Sequence, residues 1–468
     1  MSSKPFGQFL SIPPRNGLTK PKKVRGHGFK MVNMGELFKY SRIKNIPMDR
    51  VPLTPKEQAS SLLESGDLLF ARQSLVRDGA GKCSIFLGDS EPVCFESHII
   101  RCRLDKSAHN PLFYYYYFSS PEGKVLMDTI IEQGAGAAGI RGSDLVNLNV
   151  PEFTLSFQNY VALILDTIDK KIQLNHQINQ TLEQMAQAIF KSWFVDFEPV
   201  KAKIAALEAG GSEEDALLAA MQAISGKGEE ELTRLQAEQP EQYAELRATA
   251  ELFPSAMQDS ELGEIPVGWK AGMLSDIAGL SNCRVSTDEL TLETYVSTEN
   301  MLENKKGIVT AVSLPPSASV PSFEPGEILI SNIRPYFKKI WLATFEGGRS
   351  PDVLGFRSRH PGTSEYLFNF LYRDEFFGYM MLTSKGAKMP RGDKEAIMQY
   401  ADVIPPVDLM QSFSERVRPF YILATSHNRE TKSLTAVRET LLPKLLSGEL
   451  SVPQALEQLT DVAEAINS

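Results

Sequence analysis

A few short patterns in this sequence could do chemistry. Gly134, Gly136 and Gly139 spell the GxGxxG of a dinucleotide-binding loop. That loop needs a strand before it and a helix after it, so that a pyrophosphate can sit at the helix N-terminus. Here it follows VLMDTIIEQ (residues 125–133), which reads as helix, and runs into Arg141-Gly142. A loop approaching a phosphate backbone fits better. Asn110-Pro111-Leu112-Phe113 is similar to the Asn-Pro-Pro-aromatic tetrad that holds an adenine for methyl transfer. It lacks the second proline, and no glycine-rich methyl-donor loop precedes it. Pro351-Asp352 could open a nuclease motif, but VLGFRSRH follows rather than Glu-x-Lys. Cys83, Cys94, Cys102 and Cys283 form no CxxC pair, and the six histidines lack metal-binding spacing. The expectation is a chain with no catalytic residues, no metal and no cofactor.

The elements that would position a binding surface come next. At 468 residues the chain allows about three units, or two large domains with helical connectors. No run approaches the ~20 apolar residues of a membrane span, and no secretory signal is visible. Reduced thiols and a cytoplasmic location are expected. The net charge of −9 speaks at first against nucleic acid. Its distribution matters more than its sum. Residues 1–155 carry 20 Lys and Arg against 15 Asp and Glu, whereas residues 156–268 carry 8 against 19. KPKKVRGHGFK (Lys20–Lys30) reads as a basic arm that is solvated or touches phosphate.

The chain repeats itself once. Phe29-Lys30 with Met34, Glu36 and Leu37 matches Trp269-Lys270 with Leu274, Asp276 and Ile277. ESGDLLFARQSLV (Glu64–Val76) matches EPGEILISNIRPY (Glu324–Tyr336). PLFYYYYF (Pro111–Phe118) matches EYLFNFLY (Glu365–Tyr372), and GAGAAGIRGSD (Gly134–Asp144) matches SKGAKMPRGD (Ser384–Asp393). Each half then passes Pro151 or Pro406 into a long helical stretch. Five matches in one order indicate duplication.

From Ser156 to about Phe190 apolar residues recur every three or four positions, with Asn175 and Asn179 in the stripe. That is a coiled-coil-like seam whose buried amides fix register. The second copy runs from Phe413 to about Leu446, and Pro419 and Pro443 should make it start late or bend. Between the copies lies an Ala/Glu-rich helical insertion, broken at Gly210-Gly211 and Gly226-Lys227-Gly228. Little DNA contact is expected of it.

Two segments carry a resemblance. AIFKSWFVDFEPVKAK (Ala188–Lys203) and LLPKLLSGELSV (Leu441–Val452) resemble the ends of the two helical regions of Type I restriction-modification specificity subunits. DSELGEIPVGWK (Asp259–Lys270) is similar to the start of their second target-recognition domain. The resemblance implies an α+β fold with internal duplication and pseudo-two-fold symmetry: two globular recognition domains of mixed strands and helices, separated by two long antiparallel helices. It implies domains at 1–155 (with a basic arm, 1–28) and 264–410, helical spacers at 156–203 and 411–456, an acidic insertion at 204–263 and a tail at 457–468. It further implies a non-catalytic subunit that reads a split sequence in double-stranded DNA. Two adenine methyltransferase subunits and two restriction/translocase subunits would be its partners. The competing readings are a single-chain DNA methyltransferase with its own recognition domain, and a coiled-coil scaffold with no DNA role.

Base readout needs forked donors, and phosphate contact needs cations or backbone amides. The expected DNA-binding residues are Arg72, Gln73, Arg77 and Arg141 in the first domain. In the second they are Asn332, Arg334, Tyr336, Lys338, Lys339, Lys385, Lys388 and Arg391. Arg101 and Arg103 alternate with apolar neighbours and are expected to face solvent on a strand. Ile189, Phe190, Trp193, Phe194 and Phe197, with Leu441, Leu442, Leu445 and Leu446, would either pack the helix ends or dock a partner subunit.

Overall fold

The computed structural model describes residues 3–447, except Ala135 and Ala387, together with Glu449. The expected tail at 457–468 and positions 450–456 lie outside the described residues. The chain forms two compact units. One comprises the N-terminal part to Asn175 and the chain from Asn428 on; the other is His176–His427. The class is α+β.

In the first unit the strand Leu68–Ala71 is buried on both faces, which is why its sequence is the continuous apolar run LLFA. It sits third in a five-stranded sheet ordered Leu10–Asn16, Ile99–Leu104, Leu68–Ala71, Cys83–Gly88, Arg42–Lys44. Phe70, Ile100 and Cys102 face the helix Pro111–Ser119 and the long-helix residues Val161, Leu165, Leu441 and Leu445. Leu69, Ala71 and Ile99 face the opposite layer, with Val32, Phe86 and Phe95. Helix Pro111–Ser119 is apolar around its whole circumference and is buried accordingly. Asn110 caps it by accepting from the Leu112 and Phe113 amides at 2.9 and 3.3 Å, and Pro111 takes the first turn, where no amide donor is needed. The Asn-Pro pair is therefore a helix cap.

The N-terminal residues are not a free arm. Ser3–Pro5 pairs antiparallel with Asn149–Pro151, Phe6 and Phe9 are core, and Leu10–Asn16 is the edge strand of the main sheet. Pro13 and Pro14 hide this strand in the sequence. They are tolerated because it is an edge and because the ladder skips from Arg101–Arg15 to Arg103–Ile12. Lys20 pairs with Glu57, Arg25 with Asp49, and Lys30 with Asp89. Three of the five Lys and Arg residues of the Lys20–Lys30 segment are thus paired within their own domain, and Lys22 and Lys23 remain exposed.

The second unit carries the matching sheet, Ala278–Leu280, Val353–Ser358, Ile328–Ser331, Ile340–Leu342. Lys270–Met273 pairs with Ala401–Ile404 as Ser3–Pro5 does with Asn149–Pro151. This corrects the start of the repeat: the counterpart of Lys270–Met273 is the strand Ser3–Pro5, not the segment at Phe29-Lys30. Phe29–Val32 belongs instead to a separate three-stranded sheet with Asp49–Val51 and Val93–Phe95. The "Gly turn, then acid" shared by both halves has one cause. Gly66 and Gly326 adopt φ of +94° and +87°, and the acids that follow are buried partners of equivalent arginines. Asp67 takes Arg103 at 2.7 Å, and Glu327 takes Arg357 at 2.6 Å. Arg103 therefore does not face solvent freely, and Arg101 is buried.

The first long helix spans Leu155–Phe194, and the second spans Val407–Ser447. Within the first unit they run antiparallel: Asp169 meets Arg438, and buried Asn175 donates to Glu430 at 2.8 Å. In the second unit Asn179 meets His427 at 2.9 Å, and Phe190 meets Phe413. Both asparagines lie at the seam and reach across it. The second helix does not start late; it begins at Val407 and continues through Pro419. A mid-helix proline costs about 3 kcal/mol. Burial of Phe413 and Val417, one and a half turns and half a turn earlier, offsets that.

Residues 198–251 form four helices, Glu198–Glu208, Glu213–Ser225, Glu229–Glu238 and Pro240–Glu251. Ser212 and Asp215 close a capping box, and Gly226 ends that helix at φ +67°. Ala220, Met221, Leu246 and Phe253 join the same core as Trp193 and Trp269. The acidic insertion is thus a folded part of the second unit. Among the described residues no helix is long and apolar enough to cross a membrane.

Candidate nucleic-acid interface

Both units build one small motif at the end of the central strand. In the first, Gln73–Ser74 pairs with Ala138–Gly139, which pairs with Glu132–Gln133. In the second, Ile333 bridges Arg391, which bridges Lys385. The same closure locks each: the Arg72 carbonyl accepts from the Ile140 amide at 2.9 Å, and the Asn332 carbonyl accepts from the Gly392 amide at 3.2 Å. Gly134 and Gly139 therefore belong to a hairpin, with Ala135 outside the described residues, and not to a strand-to-helix phosphate loop. The register also shifts one sequence match. Arg391 occupies the place of Gly139, so Arg141 and Arg391 are not equivalent.

The motif brings together most of the expected DNA-binding residues. Gln73 is exposed, and Arg72 is half-buried with a long contact to the Ser97 carbonyl at 3.5 Å. Arg77 pairs with Asp128 at 2.9 Å, and Arg141 with Glu132 at 2.5 Å. In the second unit Arg334 is exposed, with no side-chain partner among the described residues, at φ +50°. Its amide donates to the Pro390 carbonyl at 2.8 Å, which fixes the turn Pro335–Phe337 against the hairpin. Tyr336 is half-exposed on that turn, and Lys388 is exposed on the hairpin. Lys338 pairs with Asp374, Lys385 with Asp393 and Arg391 with Asp352, at 2.8, 2.5 and 2.8 Å. Hydrogen bonds from Lys305 and Lys338 hold the Asp374 carboxyl below its ordinary pKa. Such exposed pairs are worth ~0–1 kcal/mol each, so their cations can be re-directed to phosphate cheaply.

Two of the expected contacts serve the scaffold. Asn332 is buried and donates to the Gly392 carbonyl at 3.1 Å, and Lys339 donates to the Thr298 carbonyl at 2.7 Å. Sequence reasoning missed Leu75 and Val76, which are 88% and 66% exposed beside Gln73. The signal was available: apolar residues following the polar end of a buried strand, opposite Pro335 and Tyr336 in the repeat.

The apolar helix ends are interior. Phe190, Trp193, Phe194 and Phe197 are buried with Trp269, Tyr366 and Phe413, and Ile189 packs against the same cluster. Leu441, Leu442, Leu445 and Leu446 are buried in the first unit. Their side chains hold the helices onto each domain and offer little surface to a partner.

The duplicated α+β chain repeats one hairpin-and-turn frame, tipped with Arg72 and Gln73 in the first copy and with Arg334, Tyr336 and Lys388 in the second, side chains of the kinds that contact nucleic acid. Comparison with known proteins narrows this. Residues 20–184 match the family described as the Type I restriction modification DNA specificity domain. The chain is 30% identical over 410 residues to the Type I restriction enzyme HindI specificity subunit of Haemophilus influenzae, covering 84% of this chain and 88% of that protein. It is 24% identical over 357 residues to the MjaIX specificity subunit of Methanocaldococcus jannaschii, covering 73% and 69%. The crystal structure of an S subunit from M. genitalium shares the fold, with a TM-score of 0.50, 14% identity and 95% of both chains covered. The chain belongs to the Type I restriction enzyme specificity subunits, and its work is DNA recognition.

Proposed function

We propose that this chain reads a split sequence in double-stranded DNA, one half with each recognition domain (1–155 and 264–410). The spacer segments expected at 156–203 and 411–456, which hold most of the long helices Leu155–Phe194 and Val407–Ser447, act as the ruler between the halves. The chain itself carries no catalytic residue. In the cytoplasm it recruits two adenine methyltransferase subunits, and through them two restriction/translocase subunits.

The observation that supports this is the repeated hairpin-and-turn motif. A rigid backbone frame, closed by the same hydrogen bond in each copy, carries different side chains: Arg72, Gln73, Leu75 and Val76 in one, Arg334, Tyr336 and Lys388 in the other. Conserving the frame while changing the tips is how two domains read two different half-sites. Among these tips Arg334 is the strongest base reader, because its guanidinium has no partner among the described residues and can fork onto guanine O6 and N7.

The test is modification-sensitive sequencing of the host genome, with the gene, without it, and with Arg334→Ala. Adenine methylation at one split motif is expected to vanish without the gene. The variant is expected to relax one half of that motif, at a cost of about 1–3 kcal/mol in duplex binding. Equal weakening on target and scrambled duplexes would make Arg334 a phosphate contact. Unchanged methylation in the strain lacking the gene would overturn the reading.

A further inference from the structure

The first unit holds a positively charged cleft on the sheet face opposite the long helices. It is an open cavity of about 580 Å³ between the edge strand, the central sheet and helix Pro55–Ser61. Arg15, Arg101 and Arg103 line it with Gln58, Ser60 and Glu64. Glu64 and Asp67 both bind Arg103. That leaves Arg15, exposed at the rim, and Arg101, paired to it across the strands.

Arg101 is the unusual group. It is 5% exposed, its Nε is fully buried without an acceptor, and no guanidinium nitrogen has a hydrogen-bond partner among the described residues. Burial pulls its pKa down, and the charges of Arg103 and Arg15 push the same way, against Asp67. A buried, unpaired guanidinium is costly unless an anion or a full set of acceptors meets it.

The second unit provides an internal comparison. Gly355 stands where Arg101 does, and a Cβ there would lie 2.9 Å from the Arg349 Nε. Arg349 therefore fills the equivalent place from another strand. It donates to the Val353 carbonyl and, at 2.6 Å, to the Ser281 carbonyl. In both copies the Nε has no acceptor among the described residues, but one copy ties the two end nitrogens of its buried guanidinium to backbone and the other leaves them open to a cleft.

The geometry points to a phosphoryl-binding site in the first unit, with Arg101 at its floor and Arg15 at its rim. The guanidinium end of Arg101 suits a phosphate oxygen pair, because the two nearby carboxylates, Glu64 and Asp67, are already held by Arg103. Ser60 and Gln58 supply neutral polar groups beside it. The ligand is a free phosphate or a phosphodiester of duplex DNA; the chemistry at Arg101 is the same for both. This inference does not depend on the split-site reading, and its test needs no knowledge of the target sequence.

The full chain would be melted in inorganic phosphate and in chloride at equal ionic strength, and titrated with a scrambled duplex over a salt series. Arg101→Met and Arg15→Gln would be compared with wild type. A phosphate-specific rise in Tm in the wild type, lost in Arg101→Met and reduced in Arg15→Gln, establishes a free-phosphate site. No rise in Tm, but a salt dependence of duplex binding shallower by about 0.9 in Arg101→Met, assigns the site to the DNA backbone. Arg15→Gln, at an exposed position, keeps the test valid if Arg101→Met fails to fold. Absence of both a phosphate-specific shift and a change in slope would overturn the proposal.

Discussion

Trp193→Ala is expected to destabilise the second unit by about 3–5 kcal/mol, the cost of emptying an aromatic site in a packed core. Trp193 is 1% exposed and stacks edge-on against Phe253 at 5.3 Å and Phe413 at 5.9 Å. It thereby joins three segments distant in sequence: the first long helix, the end of the acidic insertion and the start of the second long helix. Its neighbour Phe194 is already held, packed on Trp269 and on Tyr366, so the emptied site has little to fill it. Urea unfolding of the full chain, followed by tryptophan-independent circular dichroism, would measure the loss. Soluble protein with an unchanged midpoint that fails to bind a methyltransferase subunit would instead place Trp193 in a docking surface.

The second large effect is expected at Asp169, for an electrostatic reason. Its carboxylate takes Arg42 at 3.0 Å, Arg438 at 2.7 Å and the Tyr116 hydroxyl at 2.8 Å. A neighbouring Asp166 also binds Arg42. Asp169→Ala would leave the enclosed Arg42 with the Asp166 carboxylate alone and Arg438 with only a 3.8 Å contact to Glu439, and breaking an enclosed pair typically costs about 3–5 kcal/mol. Arg438→Gln should cost less, because that side chain is 34% exposed. The cluster also fixes a pH response. Burial alone would raise the Asp166 pKa, but hydrogen bonds from Lys170 and Arg42 hold it below the ordinary aspartate value. A depressed folded-state pKa contributes stability that is fully present above the unfolded value, about 4, and is lost as pH falls through the folded one. Chemical denaturation between pH 7 and pH 3 should show this acid loss in wild type and a smaller one in Asp166→Asn.

Much of the architecture was legible because it rests on local rules. The two LLFA-like strands are recognisable as apolar runs, the long helices as a three-four stripe without glycine, and the duplication as a shared order of turns. Asn175 and Asn179 could be placed at a helix seam because an amide in an apolar stripe must find a partner there.

What escaped reading was decided by tertiary context. Leu10–Asn16 carries two prolines and looks like a loop; it is a strand only because it lies at an edge with an irregular ladder. The true start of the repeat was hidden for the same reason, since Ser3–Pro5 is defined by its partner Asn149–Pro151 and not by its own sequence. Pro419 predicts a break that core burial overrides. Arg101 and Arg103 look like solvent-facing alternation, yet the face they occupy is covered by a helix and an acid that the strand cannot foresee. Among the expected DNA-binding residues, sequence supplied the chemical types, and only the fold separated Arg334, exposed and without a side-chain partner among the described residues, from Asn332, spent on the hairpin. Local preference is written in neighbouring residues; which face is covered, and which charge is already paired, is set by contacts between segments far apart in the chain.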